Sequence, residues 1–304
     1  MNRNRHFAVI ILLFSFGNAF SQNGKIISKS IIDLSKTFVW NNISENNILK
    51  PEFEYLNTVN FYDISYQSDS LPIKGMMIIP KKDEIYPVVI FNRGGNRNFS
   101  PLNIGTLILY SSKLAAQGYI VLGSNYREQD EFGGADINDV LNLMETAKEI
   151  ETADTNNIGM LGWSRGGIMT YLALKYSDKI KTAIIGSSPV DLFSTITERP
   201  EMENNPISEC IPDYWQNKKE ELEKRSAIYW FNELNKNSSL LILCGTKDKQ
   251  VNYKQAERMA EKLSSINYNY ELKEYDTDHF FADKKKELNE TIINWFDKKL
   301  KNHN

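Results

Sequence analysis

Gly162-Trp163-Ser164-Arg165-Gly166-Gly167 sets a serine between small residues in a Gly-x-Ser-x-Gly pattern. A serine hydroxyl is a poor nucleophile until a base removes its proton, and the base must itself be oriented. Histidine is the usual base, and here there is one candidate. His6 and His303 lie near the two ends, which leaves His279 alone in the body of the chain. An acid that could fix its tautomer follows an apolar run in Gly245-Thr246-Lys247-Asp248. Asp276 and Asp278 flank His279 too closely to reach it from a separate loop, so they are expected to shape that loop. The chemistry implied is nucleophilic acyl transfer, with Ser164 as nucleophile, His279 as base and Asp248 as orienting acid, in that chain order. The competing readings are a glycine-rich turn with an incidental serine, and a surface histidine in a loop.

An acyl-transfer intermediate carries an oxyanion that needs two donors. The backbone N–H of Arg165, directly after the nucleophile, is one candidate. The second should come from Asn92-Arg93-Gly94-Gly95-Asn96, where Arg93 and Gly94 are the candidates. No cofactor is expected. One body histidine and two cysteines exclude a histidine-rich metal site and a cysteine-based zinc cluster. Cys244 ends an apolar run that reads as a buried strand, and Cys210 lies in the 191–236 insertion, so the two are expected to stay unpaired unless that insertion folds onto the strand end.

These residues need strand ends to hold them, and the sequence alternates strand-like and helix-like stretches. Strands are predicted at 59–66, 73–79, 87–91, 119–123, 158–162, 182–185, 240–243 and 268–275. Pro87 to Phe91 is a continuous apolar run, as in a strand buried on both faces. Helices are predicted from Ser100-Pro101 to Gly118, over 136–150, after Ser164 to Tyr176, over 254–263 and over 284–300. Such alternation implies an α/β fold with a mostly parallel sheet and helices on both faces. Residues 22–57 read as an irregular or helical N-terminal extension, and 58–304 as the catalytic domain. Residues 191–236 interrupt the alternation with Pro200, Pro206, Pro212 and several aromatics, and read as a lid whose cleft walls include some of Phe193, Tyr214 and Trp215.

A net charge of −3 with no basic block argues against a nucleic-acid partner. Asn2-Arg3-Asn4-Arg5-His6, the apolar run from Phe7 to Gly17 and Ala19-Phe20-Ser21 form the pattern of a signal peptide cut before Gln22. Eleven apolar residues cannot cross ~30 Å of hydrocarbon, so export without a stable membrane anchor is expected.

With these pieces in place, the chain from about Val59 to Leu300 resembles the catalytic domain of the prolyl oligopeptidase family of serine peptidases. The resemblance rests on the Ser164 motif, Gly133-Gly134-Ala135-Asp136-Ile137-Asn138-Asp139-Val140, Arg225-Ser226-Ala227-Ile228-Tyr229-Trp230 and Gly245-Thr246-Lys247-Asp248. It implies an α/β-hydrolase fold, cleavage of peptides or related acyl compounds, and a triad of Ser164, Asp248 and His279. Two departures stand out. Once the expected signal peptide at 1–21 is removed, only residues 22–58 precede the first predicted strand, too few for one ~40-residue propeller blade of the kind many members carry. Arg93 stands where family peptidases often place a tyrosine before the Gly-Gly pair. The expected substrate is a short peptide or an ester. A carboxylesterase or carbohydrate esterase with the same triad is the alternative, and a non-catalytic binding protein of this fold is a third.

Overall fold

Residues 22–97 and 99–301 are described by a computed structural model. The expected signal peptide at 1–21, with His6, lies outside the described residues, as does His303. The main sheet has nine strands: β1 (Ile26–Ile31), β2 (Val59–Ser68), β3 (Leu71–Pro80), β4 (Tyr86–Asn92), β5 (Ile120–Ser124), β6 (Ala153–Trp163), β7 (Ile180–Gly186), β8 (Ser239–Gly245) and β9 (Tyr270–Tyr275). Their spatial order is β1-β2-β3-β5-β4-β6-β7-β8-β9. The pairs β1–β2, β2–β3 and β3–β5 are antiparallel, and the five pairs from β5–β4 to β8–β9 are parallel. Asp69 and Ser70, both at positive φ, close the β2–β3 hairpin in two residues, as the twist of paired strands favours.

Alternate residues of each central strand enter separate apolar clusters on the two faces. Val88, Ile90, Ile158, Met160, Leu240 and Ile242 belong to one. Val89, Phe91, Leu161, Trp163, Leu241 and Leu243 belong to the other. The first face is covered by α3 (Ile137–Ala147), α4 (Arg165–Tyr176) and α7 (Lys254–Ser265), the second by α1 (Ile104–Tyr110), α2 (Ser112–Ala116) and α8 (Lys285–Phe296). The chain leaves β4 toward β5 on one side and β6 toward β7 on the other. The carboxyl ends of β4 and β6 therefore flank a topological switch point, the place where open α/β sheets open a crevice.

Two expectations are corrected and a third is narrowed. The extension at 22–57 is not merely irregular or helical, because Ile26–Ile31 forms β1, pairing with β2 at the sheet edge. Five of its six residues are exposed, so no alternating pattern announces it. The first helix does not begin at Ser100-Pro101. Asn103 caps it, accepting Thr106 N–H at 3.1 Å, and the helix breaks at Ser111. The insertion at 191–236 folds as α5 (Leu192–Glu198) and α6 (Tyr214–Lys224), with a short irregular helical stretch (Glu203–Ile207 and Ser208–Cys210) between. Tyr214, Cys210, Ile211, Leu222 and Trp230 are buried in the same cluster as α3 and α4, so Tyr214 is core and no cleft wall. Trp215 is exposed, and Phe193 packs edge-on against Tyr229.

Candidate active site

Ser164 sits where β6 turns into α4, at φ 54° and ψ −126°, a conformation that costs a non-glycine residue on the order of 1–3 kcal/mol. The flanking glycines explain how the turn is possible. A Cβ at Gly166 would run into the carbonyl of Asn92, and one at Gly162 into Thr170 Oγ1 and the Gly166 carbonyl. The turn is held by Ser164 N–H donating to Gly186 at 2.9 Å and Gly167 N–H donating to Ser164 at 2.8 Å. An incidental serine in a loose turn would need neither the strain nor this crowding.

Asp248 follows β8 and His279 follows β9, and the structure brings them together. His279 Nδ1 lies 2.7 Å from Asp248 Oδ2, and both side chains are buried. Asp248 Oδ1 accepts the N–H groups of Gln250 at 2.7 Å and Val251 at 2.9 Å. Burial resists ionisation of this carboxyl, but the hydrogen bond and charge of His279 and the two backbone donors hold it below the usual carboxylate range. The loops meet closely, since a Cβ at Gly245 would come 2.7 Å from the Asp278 carbonyl. Trp163, the residue before the serine, donates its Nε1 hydrogen to the His279 carbonyl at 3.1 Å, tying the His279 loop to the serine's own strand. Asp276 pairs with Lys247 at 2.8 Å, and Asp278 accepts Phe280 and Ala282 N–H within its own loop. Neither competes for the imidazole.

The expected oxyanion donors fare differently. Arg165 opens α4, and the first N–H groups of a helix have no partner within it. Gly94 borders the serine, for a Cβ there would lie 3.9 Å from Ser164 Oγ. The side chain of Arg93 is used elsewhere. Its Nη1 donates to the carbonyls of Gly94 and Ser100, its Nη2 to those of Arg97 and Asn125, and its Nε is sealed inside the protein without a partner. With its four Nη hydrogens taken and the Nε hydrogen sealed from solvent, that guanidinium cannot reach a substrate.

Sequence reasoning missed the partners of Arg165. Its buried guanidinium pairs with Asp130 at 3.0 Å and Asp136 at 2.5 Å, and stacks at 4.9 Å from Tyr126 and from Phe132. Burial alone would lower the Arg165 pKa, but Asp136 and Asp130 raise it above its usual value. The insertion touches both sides of the site: Arg97 Nη2 donates to the Glu209 carbonyl at 2.6 Å, and Arg199 Nη1 to that of Gln250 at 3.3 Å. Among the described residues no cluster of side chains could hold a metal ion, and no helix is long and apolar enough to cross a membrane.

The sequence pattern of the prolyl oligopeptidase family matches residues 111–303, nearly two thirds of the chain. The chain belongs to that family. Family membership makes it a hydrolase of the serine-peptidase type. It is 25% identical over 253 residues to the uncharacterized peptidase YtmA of Bacillus subtilis, spanning 80% of this chain and 94% of that one. It is 23% identical to the human acylamino-acid-releasing enzyme over 62% of this chain but 27% of the relative. Among solved structures it resembles the Pyrococcus horikoshii acylaminoacyl peptidase, with a TM-score of 0.70 at 20% identity over 83% of this chain and 44% of that one. A puromycin-hydrolyzing peptidase of Mycobacterium tuberculosis superposes with a TM-score of 0.63, also at 20% identity, over 78% of this chain and 39% of that one. These likenesses establish the α/β-hydrolase fold.

Proposed function

We propose that this chain cleaves acyl bonds of short peptides through a Ser164–His279–Asp248 triad and an acyl-enzyme. The observation that carries the reading is the 2.7 Å contact of His279 Nδ1 with Asp248, combined with the strained turn at Ser164. With Nδ1–H committed to the carboxylate, Nε2 is left as an acceptor for the Ser164 proton. The serine oxygen then attacks the acyl carbon, and the imidazolium returns the proton to the leaving group. Water hydrolyses the acyl-enzyme by the same route in reverse. The Arg165 and Gly94 N–H groups receive the oxyanion.

Relatives named for acylaminoacyl peptides support N-acylated short peptides as one substrate class. The insertion, linked to both the Arg97 and the Gln250 loops, would act as the lid and exclude folded proteins. Arg93 favours a second reading as an esterase. No side-chain hydroxyl stands at that position to help hold the oxyanion, and amides have poorer leaving groups than esters. The sequence of residues 1–21 supports export, with cleavage before Gln22. No nucleic-acid partner and no cofactor are part of this reading.

The test is a panel of esters, amides and N-acyl peptides sharing one acyl group, run with a fluorophosphonate label. Wild type should be labelled at Ser164 and hydrolyse the ester fastest, and Ser164→Ala should lose both properties while staying folded. Full turnover by Ser164→Ala would end the assignment, and efficient digestion of a folded protein would end the proposed role of the insertion.

A further inference from the structure

Three consecutive carbonyls in the loop after β4 are held by side chains that the proposed reaction does not use. The Arg93 carbonyl accepts the Tyr126 hydroxyl at 3.0 Å, the Gly94 carbonyl accepts Arg93 Nη1 at 2.9 Å, and the Gly95 carbonyl accepts Arg165 Nη1 at 3.0 Å. The three side chains also support one another. Both guanidinium carbons lie 4.9 Å from the centre of the Tyr126 ring, and all three residues are buried. Asp130 Oδ2 joins the group to the next turn of the loop, accepting Arg165 Nη1 at 3.0 Å and Arg97 N–H at 2.7 Å. Tyr126 itself is at φ 60°, where a tyrosine is strained, and Ser124 Oγ accepts its N–H at 2.9 Å. A strained tyrosine this firmly held is more than filler.

A trans peptide points its N–H opposite its C=O, and the Arg93–Gly94 peptide is trans. Anchoring the Arg93 carbonyl on Tyr126 therefore turns the Gly94 N–H away from Tyr126. Gly94 also borders the nucleophile, since a Cβ there would lie 3.3 Å from Ser164 Cβ. We propose that Tyr126 is a positioning residue for the oxyanion site, whose hydroxyl aims the Gly94 N–H while the Arg93 and Arg165 guanidiniums fix the two carbonyls that follow. The tyrosine acts from behind the loop, through the backbone, and never touches substrate. This inference rests on Ser164 being the nucleophile.

Tyr126→Phe removes only the hydroxyl and keeps the ring between the guanidiniums. Deleting an oxyanion donor costs about 10²–10³ in turnover, and a donor that is present but misaimed should cost roughly 10- to 100-fold. We expect kcat on an ester to fall by that factor, with KM changed by less than about twofold, because the loss falls on the transition state. A peptidyl aldehyde, which forms a tetrahedral adduct with the serine, should weaken by the same factor as kcat/KM. A reduced-amide analogue without a carbonyl should bind as before. A merely structural role would not separate the two inhibitors.

Fluorophosphonate labelling separates the assignment of Ser164 as nucleophile from the role of Tyr126. If wild type is not labelled at Ser164, the nucleophile assignment has failed. If labelling is normal and Tyr126→Phe keeps full kcat and aldehyde affinity, only the role of Tyr126 is overturned. Should Tyr126→Phe not fold, Arg165→Lys keeps a cation for Asp130 and Asp136 but loses the bond to Gly95. An unchanged kcat and aldehyde affinity in that variant would refute the proposal equally.

Discussion

Replacing Asp248 by asparagine should reverse the protonation of the imidazole it holds. In the native protein one carboxylate oxygen accepts the N–H groups of Gln250 and Val251, and the other meets His279 Nδ1. Asparagine has one oxygen and one NH₂ group to fill these two places. If the oxygen keeps the backbone donors, the NH₂ faces Nδ1, which must shed its hydrogen to accept one. The ring proton then sits on Nε2, the atom that should receive the Ser164 proton. If the amide flips instead, its NH₂ confronts two backbone N–H groups and two hydrogen bonds of about 1 kcal/mol each are lost. A bias of ~2 kcal/mol leaves the productive tautomer about 30-fold scarcer. Loss of the charge opposite the imidazolium adds to this, for a total of about 10³–10⁴ in kcat. The assay is kcat on an activated ester, with the melting temperature measured alongside to show that the variant is folded. A folded Asp248→Asn enzyme within tenfold of wild type would refute the reasoning.

Arg165→Met should leave the Asp130 and Asp136 carboxylates buried without their cation. A cost of about 3–5 kcal/mol follows, roughly 10 °C in melting temperature for a chain of this size, and calorimetry showing no change would contradict it. Burial resists ionisation of Asp130, but the Arg165 charge and the N–H groups of Arg97 and Phe132 hold its carboxyl below the usual range. Its contribution to stability is therefore present above the unfolded value of about 3.9 and fades as pH falls through the lower folded value. The melting-temperature gap between wild type and Asp130→Asn should accordingly shrink in acid, and a gap that widens there would show the sign to be wrong. Cys210 and Cys244 are buried and unpaired, and burial pushes their thiols up to about 11 and about 12. Both should resist a thiol reagent at pH 8 in the native protein and react once it is denatured without reductant; a count of zero after denaturation would mean a disulfide.

Residue type and order alone were enough to nominate Ser164, Asp248 and His279 as a candidate triad, because a single body histidine leaves few ways to assemble one. The same holds for the central strands, whose apolar runs record burial on both faces. Tertiary structure decided what those strings of letters cannot carry. Five of the six residues of β1 are exposed, so its place in the sheet comes from hydrogen bonds to β2 and leaves no pattern of hydrophobicity. The aromatic content of the insertion looked like a cleft wall, yet Tyr214 faces the core, because sequence does not tell which side of a short helix packs inward. In the sequence Arg93 reads as a donor beside a nucleophile, and Arg165 as the owner of a donating backbone N–H. What their guanidiniums do is invisible there: they hold backbone carbonyls around Tyr126, and Arg165 also pairs with two buried aspartates about 30 residues away. A buried charge is defined by the partners that neutralise it, and those partners meet it only once the chain has folded.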